Sequence, residues 1–116
     1  MSKKYPIVTV LFPVYNGEEY LREAIESIIN QTYRDYEFLI INDGSTDNTK
    51  EKILQERYYF DIRVINFSRN FGKESAMTAG IRETSADVVV IIDVDMQDPP
   101  SLIVEMVSEW LRGAKL

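Results

Sequence analysis

The chain contains no cysteine and no histidine. Without cysteine there is neither a disulfide nor a thiolate metal site, and a reducing compartment is permitted. Without histidine there is no His-based catalytic triad and none of the usual zinc sites. Long apolar runs are missing too: no stretch approaches the roughly 20 residues of a membrane span. The lysines of Met1-Ser2-Lys3-Lys4-Tyr5-Pro6 have no long apolar core behind them, so the start does not read as a signal peptide, and a cytoplasmic setting is expected. Positive charge is scarce. Lysine and arginine number 13 against 19 acidic residues, a net charge of −6. That balance argues against a general nucleic-acid binder, which is normally basic. An anionic small ligand would need local help, from a metal or from helix N-termini. The glycine-rich phosphate signatures are also absent: there is no Gly-x-Gly-x-x-Gly turn and no Walker-type loop with its lysine.

What is present is an ordinary globular chain. Of its 116 residues 45% are apolar and 28% charged, and residues 1–116 read as a single domain able to bury roughly 60–70% of its unfolded surface. Ile7 to Phe12 predicts a first strand closed by Pro13. Asn16 is placed to cap the next helix, with Glu19 completing a capping box. Tyr20, Leu21, Ala24, Ile25, Ile28 and Ile29 then recur at helical spacing. Phe38 to Ile41 predicts a second strand, and Asn42-Asp43-Gly44-Ser45-Thr46-Asp47 a turn into a polar helix ending near Arg57. Ile62 to Phe67 predicts a third strand, followed by a turn and a short helix carrying Ala76, Met77, Gly80 and Ile81. Val88 to Ile92 is a run of five β-branched residues, the mark of a strand buried on both faces at the centre of a parallel sheet. Leu102, Ile103, Met106, Val107, Trp110 and Leu111 form a last helical stripe.

Four alternations of strand and helix predict an α/β fold, a mostly parallel sheet with helices on both faces. The strand-to-helix loops of such a sheet gather at its carboxyl edge, where ligands bind. Pro13, Tyr15, Asn16, Asp43, Ser45, Arg69, Lys73, Asp93 and Asp95 all fall there. Asp93 and Asp95 lie on one side of an extended chain, about 6.6 Å apart along it. Two such carboxylates repel unless a positive charge lies between them; a hard divalent cation is the simplest, with Gln97 as a neutral third ligand. The competing reading is an acidic strand-end loop in water. Asp43, at a strand tip, can accept an N–H from a pyrimidine or purine ring, whereas Ser45 and Asp47 read as helix-capping residues. Tyr15 either packs on a base or belongs to the core. Arg69 and Lys73 either neutralise a diphosphate or face solvent.

Four stretches together, Pro13-Val14-Tyr15-Asn16, Asn42-Asp43-Gly44-Ser45-Thr46-Asp47, Arg69-Asn70-Phe71-Gly72-Lys73 and Asp93-Val94-Asp95-Met96-Gln97-Asp98-Pro99-Pro100, resemble the nucleotide-binding half of a family 2 glycosyltransferase. The last two are most similar to polyprenyl-phosphate sugar transferases of the dolichol-phosphate mannose synthase and bactoprenol glucosyltransferase type. The resemblance implies a Rossmann-like GT-A fold, a UDP- or GDP-sugar donor, and Mg²⁺ or Mn²⁺ bound by the aspartate-x-aspartate motif. It places Pro13, Tyr15, Asn16, Asp43, Arg69, Lys73, Asp93 and Val94 around the nucleotide, and Asp93, Asp95 and Gln97 on the metal. Where some relatives carry glutamate after the asparagine matching Asn16, Gly17 stands here, followed by Glu18. Relatives continue into an acceptor-binding half that holds the general base, so the chain reads as truncated, with no catalytic base of its own. The lipid-linked relatives also imply a polyprenyl-phosphate acceptor and membrane association on the cytoplasmic face for the whole protein. An uncovered sheet edge beside the aspartate-bearing strand would favour self-association. The alternative is a non-catalytic nucleotide-binding or interaction module. A phosphoacceptor signalling domain would want an aspartate at the third strand's tip, where Phe67-Ser68 stands.

Overall fold

The computed structural model describes residues 7–93 and 102–113. Strand and helix alternate throughout: β1 (Val8–Val14), α1 (Leu21–Asn30), β2 (Tyr36–Asn42), α2 (Thr49–Arg57), β3 (Arg63–Asn66), α3 (Lys73–Glu83), β4 (Val88–Ile91) and α4 (Leu102–Leu111). The four strands form one parallel sheet in the order β3-β2-β1-β4. The α/β architecture expected from the alternation is therefore the one observed.

Period-two alternation sends the strand residues to two cores. Val8, Val10, Phe12 and Val14 of β1, Phe38 and Ile40 of β2, and Val88 and Val90 of β4 face one side. There they meet Leu21, Ala24, Ile25 and Ile28 of α1, Ile53 of α2, and Ile103 and Val107 of α4. Phe12 and Phe38 pack edge to face with ring centroids 6.2 Å apart. On the other side Leu11, Leu39 and Ile41 pack on Ala76 of α3. That helix lies close to the sheet: a Cβ added to Gly80 would come within 2.3 Å of the Leu11 side chain.

Several local expectations need correction. The Val88–Ile91 strand stands at the edge of the sheet among the described residues, and β1 and β2 occupy the centre. Its continuous apolar run fits the fold because Val88 and Val90 are buried while Val89 and Ile91 are half-covered on the α3 side. Pro13 does not close β1, which continues to Val14. Leu11 O accepts from Ile92 N–H on the β4 side and Val14 O from Asp43 N–H on the β2 side. By alternation Pro13 faces the β4 side, where the β1–β4 pairing has ended at Leu11–Ile91, so its missing N–H costs no ladder bond. Finally, Asn16 and Glu19 form no capping box. Helix α1 begins at Leu21 after a Gly17–Tyr20 turn and has no side-chain cap, because Asn16 is four residues too early to reach the first helical N–H groups. Tyr20, placed on the apolar stripe by spacing, is half exposed. No helix among the described residues is long and apolar enough to cross a membrane.

Candidate functional site

The loops after β1 and β2 are fastened to each other at the carboxyl edge. Asn16, in the left-handed region at φ 51°, accepts at Oδ1 from the N–H of Thr46 at 2.7 Å and of Asp47 at 3.3 Å. Its own N–H donates to Ser45 Oγ at 3.0 Å, and Gly17 N–H donates to Thr49 Oγ1 at 3.0 Å. Asp47 closes the arrangement: Oδ2 accepts from Glu18 N–H at 3.3 Å, and Oδ1 from both the N–H and the hydroxyl of Thr49. Burial pushes the Asp47 carboxyl upward, but the hydrogen bonds from Thr49, from Glu18 N–H and from its own N–H outweigh it and hold the pKa below the ordinary carboxylate value. Asp47 thus sits at the helix start as the sequence suggests, whereas Ser45 links the two loops and caps nothing.

The β2 tip in turn holds the loop after β3. Asp43 is 3% exposed. Its Oδ1 accepts from Phe71 N–H at 2.8 Å, and its Oδ2 from Gly72 N–H at 3.0 Å and Asn70 Nδ2 at 3.1 Å. Gly44 makes the approach possible. At φ 67° it already lies where side chains are disfavoured, and a Cβ there would stand 2.1 Å from the Arg69 carbonyl carbon, closer than any real contact. Phe71 packs edge-on against Phe67 with centroids 5.6 Å apart, and the Arg69 guanidinium lies 4.2 Å from the Phe71 ring centre, a cation–π contact.

The loop that Asp43 holds delivers Lys73 to the tip of β4. Lys73 Nζ lies 2.7 Å from Asp93 Oδ1 and 2.8 Å from Oδ2. The lysine side chain is 57% exposed and the aspartate 27%, so the pair is open to water and to exchange. Between these groups is a cleft of about 400 Å³, walled by Pro13, Tyr15, Asp43, Asn70, Gly72, Lys73 and Asp93. Five of the residues expected around a nucleotide therefore share one cavity. Tyr15 is 47% exposed, which removes the core reading for it. Asn16 is not on the cleft wall but in the fastening behind it. Arg69 lines a neighbouring polar hollow with Lys50, Ser45 and Asn66, which adjoins the cleft through Tyr15 and Asn70. Val94, Asp95 and Gln97 lie outside the described residues. Among the described residues no group of three or more acidic side chains could hold a metal. Asp43 and Asp93 are the two carboxylates on the cleft wall among the described residues, and Lys73 supplies the positive charge beside Asp93. Asn70 and Gly72 are wall residues that residue-by-residue reading passed over. Their signal lay in the Asn70-Phe71-Gly72-Lys73 stretch as a unit, since it is the loop backbone that meets Asp43.

With this geometry in place, comparison with known proteins is decisive. The Glycosyl transferase family 2 model matches residues 9–116. The chain belongs to that family. This family 2 chain is 42% identical over 110 residues to the uncharacterized glycosyltransferase YkcC of Bacillus subtilis, covering 90% of this chain and 34% of the relative. It is 38% identical over 119 residues to the bactoprenol glucosyl transferase of Shigella phage SfX, covering 94% and 37%. Among solved structures it resembles the mannosyltransferase PcManGT of Pyrobaculum calidifontis in complex with GDP-Man and Mn²⁺, with a TM-score of 0.73, 27% identity, and coverage of 79% of this chain and 28% of the other. It also resembles the glucosyl-3-phosphoglycerate synthase of Mycobacterium tuberculosis in complex with UDP, with a TM-score of 0.72, 25% identity, and coverage of 91% and 40%. The fold is GT-A. The chain spans about a third of the length of the curated relatives it matches.

Proposed function

We propose that this family 2 chain is the nucleotide-sugar half of a glycosyltransferase and that its carboxyl-edge cleft receives the nucleoside diphosphate. The observation that carries the reading is the convergence of Pro13, Tyr15, Asp43, Lys73 and Asp93 on one cavity at the sheet edge where α/β folds bind ligands. Tyr15 offers a half-exposed ring for a base to lie on, and Asp43 a carboxylate oxygen for a ring N–H. Lys73 offers an ammonium for the diphosphate on the same cleft wall. A Mg²⁺ or Mn²⁺ ion would be held by Asp93 with Asp95 and Gln97, and would supply charge stabilisation for the departing diphosphate. The two solved relatives bound to UDP and to GDP-Man with Mn²⁺ support this assignment. In the whole protein the sugar would pass to an acceptor; the bactoprenol glucosyl transferase similarity supports a polyprenyl phosphate.

Calorimetric titration with UDP and GDP, with and without Mn²⁺, tests the proposal on the chain itself and on Asp95→Asn, which removes a charge while keeping the shape. Affinity should rise with Mn²⁺ and fall at least about tenfold in the variant, or roughly 1.4 kcal/mol. Affinity that ignores both Mn²⁺ and the substitution would rule out the metal site. Among the described residues β4 stands at the sheet edge, and Val89 and Ile91 are only half-covered on its α3 face, which supports self-association through that edge. Light scattering should detect dimers, and a strictly monomeric chain at high concentration would contradict it.

A further inference from the structure

Lys73 is the first residue of α3. A helix N-terminus carries partial positive charge, so a cation there stands at the unfavourable end. The rest of the helix keeps the usual polarity, with Glu74 in its first turn and Arg82 in its last. The lysine is therefore not placed for the helix. Its backbone is set by the loop before it. Asp43 accepts from Phe71 N–H at 2.8 Å and from Gly72 N–H at 3.0 Å. Gly72 itself holds φ 98°, a region that side chains rarely enter. With the entry to α3 fixed in this way, the flexible stem of Lys73 is the part left to move.

The ammonium of that stem is shared between both oxygens of Asp93, 2.7 Å from Oδ1 and 2.8 Å from Oδ2. Those are the two oxygens that a hard cation takes from a bidentate carboxylate. Lys73 is thus a stand-in cation: it shows that Asp93 accepts one, and a divalent ion arriving there would meet its charge. The pair is open to water, so it can be broken at small cost, and a diphosphate carries anionic oxygens able to take the ammonium over. We propose that Lys73 is a resident cation that guards Asp93 until a diphosphate draws it away, so that divalent metal and nucleotide bind together rather than metal first. The inference rests on the reading of the cleft as a metal-assisted nucleoside diphosphate site. It adds a coupling to that reading. Both ligands need the same ion pair broken, so whichever breaks it raises the affinity of the other.

The test is titration with Mn²⁺ in the absence of nucleotide, followed by the electron paramagnetic resonance signal of the free ion. It is run on the unaltered chain and on Lys73→Met, Lys73→Arg and Arg82→Met. Mn²⁺ should bind Lys73→Met at least about threefold more tightly than the unaltered chain, even though the same variant binds UDP less well. Lys73→Arg keeps a cation on Asp93 and should bind Mn²⁺ no more tightly than the unaltered chain. Arg82→Met removes a positive charge from the far end of the same helix and should leave Mn²⁺ affinity unchanged. An ion pair that only braces α3 against β4 would leave Mn²⁺ affinity unmoved in Lys73→Met. That result overturns the guarding role, as does an equal gain in Arg82→Met, which would trace the effect to net charge, or an equal gain in Lys73→Arg. Mn²⁺ bound by none of the four, with or without UDP, removes the metal reading itself and this inference with it.

Discussion

Two carboxylates line the cleft, and they are built in opposite ways. Asp43, at the tip of central strand β2, is buried and holds the loop after β3 through three N–H donors. Asp93, at the tip of β4, the edge strand among the described residues, is a quarter exposed and meets one ammonium on a flexible stem. The first arrangement is fixed by backbone geometry. The second depends on a charge pair in contact with water, where the pairing is worth about 0–1 kcal/mol and another cation can replace the lysine. A site that must recognise one base yet take up and release a diphosphate needs both kinds of carboxylate.

The largest effect separating the two carboxylates should come from Asp43→Ala. It leaves three donors without their charged acceptor, each such bond being worth about 1.5–3 kcal/mol. Because water can reach some of the freed donors, urea unfolding should show a loss of at least about 3 kcal/mol rather than the full sum, and binding of uridine and UDP should fall together. If stability held and only UDP binding suffered, Asp43 would belong with the phosphates and the contrast would collapse.

Lys73→Met should behave in the reverse manner. Unfolding free energy should shift by no more than about 1 kcal/mol, as for other exposed ion pairs. UDP affinity should drop about tenfold, roughly 1.4 kcal/mol, while uridine, which has no phosphates, binds as before. Equal loss of uridine and UDP would show that Lys73 shapes the whole cleft.

The legibility of these two carboxylates in the sequence differed for a physical reason. Alternation of strands and helical stripes implied the α/β sheet, since burial periodicity is a local property. The strand tips followed from it, which is why Pro13, Tyr15, Asp43, Lys73 and Asp93 could be placed on one edge before any coordinates. Partners are not local. Asn16 read as a helix cap because capping is judged by spacing along the chain, yet its oxygen meets Thr46 and Asp47 thirty residues away. The β4 run read as central because five β-branched residues look the same whether the second face is covered by a strand neighbour's packing or by a single helix. Asp43 read as a free recognition group, whereas its carboxylate is mostly engaged by backbone N–H groups that no sequence pattern displays.

A smaller effect tests the fastening behind the cleft. The Asp47 pKa is held below its ordinary value, so its ionised form stabilises the fold above the unfolded value of about 3.9, and that contribution is lost as pH falls through the lowered folded value. The pH dependence of unfolding below about pH 4 should flatten in Asp47→Asn, because the titrating group is gone. An unaltered acid slope would mean that Asp47 does not fasten the β1 and β2 loops.

A larger hollow of about 810 Å³ opens at the opposite, amino edge of the sheet, beside Arg34, Arg57, Arg63 and Phe60. It offers three arginines in a chain of net charge −6, so it is the natural rival for an anionic ligand. Mapping backbone amide resonances during titration with UDP and Mg²⁺ separates the two directly. The carboxyl-edge site predicts shifts concentrated at Tyr15, at Asn70 to Lys73 and at Asp93, with Arg34 and the residues around Arg63 unmoved. Shifts centred on Arg34, Arg57 and Arg63 instead would contradict it.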